Sequence, residues 1–498
     1  MSSGTVIVVG VGPVPAGNPE RIYAPGLRLF AFSQTIHRSG FRVLMGEADF
    51  NPPQAEKLQI ANYELRIAKS PQVKDPPRRA DKLIESPTPN GFGAVAWERR
   101  PLPLDPHVAA KTVAAWITQE KPIAIVSTTD VMNLASALAG GDTPRWMDYF
   151  GHPMAERQEI AFVHGSDAGL ADQWHYVLPA LLAGDHFSVC STPQKYALIG
   201  ELGAAGRLNR LTSGSDLVTV VPPGVVHHEP EPDGRVAFRG SKVPQDAFCL
   251  LFTGGYNTWL DEQTLFKGIE LAITQESKAG TGRQIHFIST GGEIKGHNEV
   301  TFERFRAHVS ASPFAGRFHF FGWVPLDALP NFYSEADAAI NCDRFTYEGL
   351  LGTRNRILSW ANFGIPVITT PLCELSHNLI SRGFASGFPV GDANALCDCI
   401  LKMAKNRGYY KEKAVSAKGH ILEEYRYEKY LKPLIDWLDR PQISPDRLRP
   451  STTGGKKYNP DNPLIQENLI RLRQTGAGAP ILWTSPLQAI IRFLKTFR

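Results

Sequence analysis

The stretch FGWVPLDALPNFYSEADAAINCDRFTYEGLLGTRNRILSWANFGIPVITT, residues 321–370, decides how this chain is read. Leu326–Ser334 has the spacing of a short helix, and Ala338–Asn341 reads as a strand. Gly349 and Gly352 follow, then a helix over Thr353–Asn362 that Gly364 closes, then a strand over Ile365–Thr369 ended by Pro371. Strand, glycine turn, helix and strand is the repeating unit of an α/β protein with a parallel sheet.

Working outward, the same unit recurs. Ala247–Phe252 is a strand ending in Gly254-Gly255, with a helix over Asp261–Ile273, and Gln284–Ser289 is a strand ending in Gly291-Gly292. Arg317–Phe321 is a short strand, and Asn394–Lys405 a last core helix. Toward the N-terminus, Val6–Val9 is a continuous apolar run, as a buried parallel strand requires. A glycine- and proline-rich loop from Gly10 to Gly26 leads into a segment with helical spacing at Leu27, Phe30, Ala31 and Ile36. Gly40 stops it before a strand from Phe41. Residues 50–105 read as an irregular insertion with some helix. The alternation resumes with strands at Pro122–Val126, Arg145–Phe150, His186–Cys190 and Leu217–Val221, and helices at Thr128–Ala139, Gly151–Ile160 and Pro193–Leu202. The polar segment His227–Arg239 reads as the link between the two halves.

The expectation is therefore α/β, with two Rossmann-like domains: residues 1–235 and 236–415. Residues 416–440 look helical and are expected to cross back to the first domain. A Pro/Gly/Ser/Lys-rich linker over 441–463 and a separate tail over 464–498 complete the chain. The composition excludes several classes. Of 498 residues, 43% are hydrophobic and 20% charged, which argues against global disorder. Lys and Arg number 53 against 49 Asp and Glu, a net charge of +4 that is too balanced for a nucleic-acid binder. The apolar runs fall far short of the roughly 20 residues that span a bilayer, and no basic leader precedes Val6, so a cytoplasmic protein is expected. The six cysteines lack zinc spacing and read as reduced, partly buried thiols.

In order and spacing, four segments carry a resemblance: GPVPAGNPERIYAPGLRLFAFSQTIHRSGFRVLM (12–45), VVPPGV (220–225), FTGGYNTWLDEQTLFKGIELA (252–272) and the opening stretch. The chain resembles GT-B glycosyltransferases of the family-4, or group 1, kind over about residues 4–440. The resemblance implies two Rossmann-like domains facing across a cleft, the acceptor side first and the nucleotide-sugar donor side second. It also implies transfer with retention of anomeric configuration, in cell-surface polysaccharide or glycoconjugate synthesis. A nucleotide-sugar diphosphate calls for backbone N–H donors and helix N-termini, with glycine where the backbone must approach closely. Gly254-Gly255, and Gly349, Leu350 and Leu351 of the EGLLG segment, are candidates for that role. A tight turn is the plainer reading of a single Gly-Gly.

Lys267, thirteen residues past Gly254, is where the family often places a basic residue for the diphosphate; a solvated helix face is the alternative. Arg354 and Arg356 are two apart, so one is expected to face the cleft, where a guanidinium clamps phosphate at two points. Glu348 matches the first glutamate of the family's Glu-x7-Glu pair, which contacts the donor sugar, but eight residues on stands Arg356 and the second glutamate is missing. Asp343 either replaces a polar contact or caps its loop. His152, in DYFGHPMAE, matches a family histidine near the reacting sugar, with a structural turn as the alternative and His164 as a rival.

No metal motif stands out, and no cofactor is expected beyond the nucleotide-sugar substrate. Helix dipoles and cations would serve in place of a metal. In the tail, Leu487, Ile490, Ile491 and Leu494 share a helical stripe beside Arg492, Lys495 and Arg498. That pattern suits either the inner membrane surface, where a lipid-linked acceptor lies, or docking on the core. Two other functions fit parts of the sequence. A catalytically silent GT-B subunit scaffolding a polysaccharide-assembly complex is supported by the missing glutamate. A nicotinamide oxidoreductase is opposed by Pro13 and Pro15, which follow Gly10-x-Gly12 and break the dinucleotide fingerprint.

Overall fold

Strands covered on both faces have to be apolar throughout, and those at the centre of this molecule are. Val6–Val9 in the first half and Phe248–Phe252 in the second are almost completely withdrawn from solvent. A computed structural model describes residues 3–16, 21–50, 97–167, 169–225, 231–294 and 297–447. The first domain runs β1 (Ser3–Val11), α1 (Ala24–Arg38), β2 (Phe41–Ala48), β3 (Glu98–Leu102), α2 (Pro106–Glu120), β4 (Ala124–Thr128), α3 (Asp130–Leu138), β5 (Arg145–Tyr149), α4 (Pro153–His164), α5 (Leu170–Ala183), β6 (His186–Val189), α6 (Thr192–Ala204) and β7 (Val218–Val220). The second runs β8 (Phe248–Thr253), α7 (Glu262–Ala279), β9 (Ile285–Thr290), α8 (Glu299–Ala311), β10 (Phe318–Phe320), α9 (Leu329–Glu335), β11 (Ala338–Asn341), α10 (Tyr347–Leu351), α11 (Asn355–Phe363), β12 (Val367–Thr369), α12 (Glu374–Ser381), β13 (Ala385–Gly387) and α13 (Ala393–Lys405). Helices α14 (Arg407–Glu424), α15 (Tyr427–Tyr430) and α16 (Lys432–Leu438) follow.

Two sheets result. Their orders are β3-β2-β1-β4-β5-β6-β7 and β10-β9-β8-β11-β12-β13. Every pairing described within them is parallel. Each is Rossmann-like: the chain winds outward from its first strand, crosses back and winds the other way, which leaves a switch point between β1 and β4 and another between β8 and β11. This is the GT-B arrangement that the resemblance implied. Caps and stops are local. Asp105 accepts from the backbone N–H groups of His107 and Val108 at the start of α2, and Asp261 from that of Thr264 at the start of α7. Gly165, Gly280 and Gly364 end α4, α7 and α11 in left-handed conformation.

The chain passes between the domains at two adjacent crossings. Val225 N–H donates to the Tyr425 carbonyl at 2.7 Å, and Gly224 lies against the Tyr427 ring, where a Cβ would be 2.5 Å from Cγ. Tyr427, Leu431, Leu434 and Leu438 then bury themselves in the first domain's core beside Val6, Phe30 and Trp146.

The structure departs from expectation at several places. The described part of the 50–105 insertion contains a strand, β3, at the sheet edge. The segment Ala237–Arg239 is no loose link: its three backbone N–H groups donate to the Glu335 carboxylate. Residues 441–447 are likewise pinned to the first domain, through Ser444 N–H on Asp185 and the Asp446 carboxylate on Arg207. The tail helix read over Leu487–Leu494 lies outside the described residues. Among the described residues no helix is long and apolar enough to cross a membrane.

Candidate functional site

The second domain's switch point collects most of the residues singled out from sequence. β8 ends at Gly254, with φ of +87°, a conformation that suits glycine alone. Its carbonyl is crowded by Gly291 at the end of β9, where a Cβ would stand 2.3 Å from the Gly254 oxygen. Gly291 N–H in turn donates to the Gly322 carbonyl beyond β10, at 2.6 Å. Three glycine turns thus stack at the carboxyl ends of three neighbouring strands and leave a floor of bare backbone.

Across the switch point, β11 delivers Asp343, and the chain then forms α10 and breaks at Gly352–Arg354 before α11. Arg354 turns back over this break. Its Nε donates to Asp343 at 2.9 Å, and its two terminal nitrogens donate to the two Glu348 oxygens at 3.0 and 2.7 Å. Its guanidinium lies 5.1 Å from the Trp259 ring centre. Asp343, Glu348 and Arg354 are 2%, 3% and 4% exposed, so this is a buried triad of two carboxylates on one cation. Burial alone would lower Arg354, but the two carboxylates carry it above the ordinary arginine value. Burial raises Glu348 against the opposing field of Arg354.

Arg356 also points inward, contrary to the expectation that one arginine of the pair faces away, because the break before α11 resets the helical phase. It donates to the Gly255 carbonyl at 2.7 Å and lies over the Phe252 ring at 4.5 Å. Burial pulls it down to about 10, still charged at neutral pH. Around these groups the hydroxyls of Thr258, Thr290 and Thr353 and the Asn355 amide oxygen are buried without a protein partner. Orphaned polar atoms of this kind call for a ligand or for water.

The remaining candidates have other surroundings. The EGLLG segment is not an open turn ahead of a helix but a helix itself, α10. Thr346 Oγ1 caps Gly349 N–H at 2.8 Å, Leu350 N–H donates to the Thr346 carbonyl, and Gly352 N–H to that of Glu348. Those amides are therefore spoken for, and Leu351 offers its carbonyl to the Ser191 hydroxyl at 2.5 Å. Lys267 is exposed on α7 between buried Phe266 and Gly268, and the described contacts do not bring it to the cluster. His152 caps α4: Nδ1 accepts from Ala155 N–H at 3.2 Å, and Nε2 meets Glu201 at 3.3 Å. Among the described residues no group of three or more His, Cys, Asp or Glu could hold a metal ion.

The first domain faces this cluster. α10 packs against α4 and α6, Arg344 bridges to Glu159 and stacks on Phe162, and Thr192 N–H donates to Glu374 at 2.8 Å. Glu156, in the first turn of α4, is half-buried. Burial, then the fields of Glu348 and Asp130, push its carboxyl well above the usual range, opposed by Arg354. Sequence reading missed Glu156, Glu159, Arg344, Ser191 and Glu374. Glu156 stood in the quoted DYFGHPMAE and Arg344 beside Asp343, but contacts across a domain interface leave no periodicity to read.

Comparison with known proteins agrees with this architecture. Residues 248–406 match the family model described as glycosyl transferases group 1. No curated protein matches the chain in sequence. Among solved structures, the sucrose-phosphate synthase of Thermosynechococcus elongatus superposes with a TM-score of 0.58 at 14% identity, over 88% of this chain and 98% of that one. A glycosyltransferase from Rickettsia africae gives 0.55 at 11% identity, over 89% and 100%. Anabaena HepE, in complex with UDP and glucose, gives 0.53 at 12% identity, over 88% and 99%. The fold is shared with all three, and the second domain is similar to the group 1 glycosyl transferases over residues 248–406.

Proposed function

We propose that this chain, a GT-B glycosyltransferase by fold and by the match of its second domain, moves a sugar from a nucleotide-sugar donor to a glycan or lipid-linked acceptor. One observation carries the reading: the matched domain gathers Gly254, Gly255, Asp343, Glu348, Arg354 and Arg356 around its switch point. Open sheets of this kind bind nucleotides at that crevice. In this reading the diphosphate lies over the glycine floor, and Arg356 takes the charge that grows on it as the bond to the anomeric carbon breaks. The Asp343–Arg354–Glu348 triad holds α10 in place and leaves lone pairs on Glu348 for donor hydroxyls. His152 steadies the facing wall from the α4 cap. Retention, a role in surface polysaccharide or glycoconjugate assembly, and cytoplasmic placement with the basic tail on the inner membrane face belong to the same proposal.

A second reading, a silent GT-B subunit that scaffolds an assembly complex, draws on Glu348 being bound at both oxygens. A thermal-shift panel of UDP-, GDP-, ADP-, dTDP- and CMP-sugars separates the two when paired with an assay for released nucleotide. UDP-glucose comes first because HepE binds UDP and glucose. A donor at 100 times its dissociation constant adds about 2.7 kcal/mol of stability. Binding with nucleotide release supports a transferase. Binding without release, glycan acceptors included, or no binding of any donor supports the silent subunit and contradicts the transferase.

A further inference from the structure

The second sheet has at one edge a strand of only three residues, β10, and a pair of histidines ties that strand to β9. His319 in β10 is in register with Ile288, so His286, two residues earlier in β9, is its diagonal neighbour on the same face. The rings stack with centres 5.1 Å apart, and His286 Nδ1 lies 2.9 Å from His319 Nε2. On its other side, His286 Nε2 lies 2.7 Å from a terminal nitrogen of Arg317, the residue that leads into β10. A guanidinium only donates, so His286 Nε2 accepts. The neutral ring then carries its proton on Nδ1 and donates it to His319 Nε2, which leaves the His319 proton on Nδ1. Gln284 Oε1, 3.3 Å from His286 Nε2, is an acceptor too, and Arg317 donates to it. His286 is 4% exposed. The other charged groups that act on the rings, Arg239 and Lys242 in the turn after Phe238, are cations as well. Arg239 is itself held by Asp337 and by the Glu335 carbonyl.

Every position for a further proton is therefore obstructed. A proton on His286 Nε2 meets the Arg317 guanidinium and has to expel it to reach Gln284, and a proton on His319 Nε2 breaks the bond between the rings. What the pair holds is one side of the glycine floor. Beyond β10, Phe321 N–H donates to the Ser289 carbonyl at 2.9 Å, and the Gly322 carbonyl accepts from Gly291 N–H at 2.6 Å. The Trp323 indole donates to the Glu293 carbonyl at 3.2 Å. We propose that His286, His319 and Arg317 form a proton-operated latch: the neutral pair clamps β10 to β9 and keeps Gly291 in the floor of the nucleotide crevice, and protonation expels Arg317 and frees the strand. The effect on the crevice rests on the nucleotide-sugar reading above and adds its regulation, whereas the latch itself stands without it. Burial, then Arg317, pulls His286 from the ordinary 6.5 down to about 4 and lowers His319 in the same direction. The latched state thus binds fewer protons than the open one. It is fully favoured above the ordinary histidine value, and it opens progressively as pH falls from 6.5 toward 4. For His286 alone, going from pH 7 to pH 5 raises the opening constant about twentyfold.

Amide hydrogen exchange on the ligand-free full chain at pH 7 and pH 5, corrected for intrinsic rates, tests this. In the parent, the opening constant over residues 318–322 and at Gly291 should rise about twentyfold or more on acidification. In His286→Gln the side chain keeps an acceptor for Arg317 and a donor for His319 but takes no proton, so the rise should be about fivefold smaller or less. Peptides from β1 in the first domain should respond alike in both proteins. Nitrogen-15 NMR of the parent's histidines needs no variant: at least one ring should still be neutral at pH 5, with its proton on Nδ1. UDP, titrated at both pH values, should lose about fivefold more affinity in the parent than in His286→Gln, because the ligand's own ionisation is common to both. Equal exchange in the two proteins, or every histidine charged at pH 5, overturns the latch. Unequal exchange with an equal loss of UDP affinity overturns its hold on the floor. If UDP binds neither protein at pH 7, the nucleotide reading fails instead, and the exchange result still decides the latch.

Discussion

At the scale of single residues, the Asp343–Arg354–Glu348 triad sets how the site responds to substitution. Two carboxylates withdrawn from water depend on the one cation between them, and removing it leaves uncompensated buried charge that costs about 3–5 kcal/mol. Arg354→Met is therefore expected to lower stability by about 3 kcal/mol or more in denaturant unfolding. Combining it with Glu348→Ala should recover part of that loss, because one buried carboxylate then remains in place of two, and a double variant no better than the single would argue against the coupling. Glu156 behaves in the opposite sense. Its folded-state pKa lies well above 4.5, so the protonated carboxyl stabilises the fold fully below that value and the contribution is lost as pH rises through the folded pKa. Glu156→Gln should thus gain thermal stability relative to the parent as pH goes from 5 to 8, whereas a constant difference would place Glu156 in ordinary solvent. Neither behaviour was legible in sequence. Glu348 and Asp343 were found by motif and position, but that Arg354 ties them together depends on the chain breaking at Gly352–Arg354.

At the scale of elements, glycine turns and helix caps carry the argument. Gly291→Ala would press a methyl group into the Gly254 carbonyl while φ at 291 is +92°. The two strains should cost about 1–2 kcal/mol or more in stability and pull the loops of β8 and β9 apart. Nucleotide affinity should then fall more than tenfold, and unchanged affinity in a folded Gly291→Ala protein would remove this floor from the site. Most central elements were readable because buried parallel strands such as Val6–Val9 and Ala247–Phe252 are apolar runs ended by glycine. The edge strand β3 was not: its sequence ERRPL is charged and contains Pro101, since an edge needs neither apolar faces nor every ladder bond. Helix α2, opened by Asp105-Pro106, follows directly on the segment 50–105 that reads as irregular, and the sequence reading does not reach it. The EGLLG segment misled in another way, because two glycines suggested an open turn where Thr346 nucleates a short helix.

At the scale of the whole molecule, repetition of one unit in both halves was enough to give two facing Rossmann-like domains. Boundaries at 235/236 and 415/416, with residues 416–440 returning to the first domain, are proposed on that basis, and burial of Tyr427, Leu431 and Leu434 beside Val6 and Phe30 supports the return. How the halves meet was not readable. Ser191 on Leu351, Thr192 on Glu374 and Arg344 on Glu159 join residues 160 or more positions apart. The central claim is that the crevice between β8 and β11 holds the diphosphate of a nucleotide sugar, with Arg356 on its charge. Calorimetric titration of UDP, GDP and ADP into the parent protein and into Arg356→Ala tests it most directly. The account predicts that one of these diphosphates binds the parent and binds Arg356→Ala at least tenfold more weakly, about 1.4 kcal/mol, with the ligand-free melting temperature little changed. Equal affinity for the two proteins, or no binding of any of the three diphosphates, would contradict it.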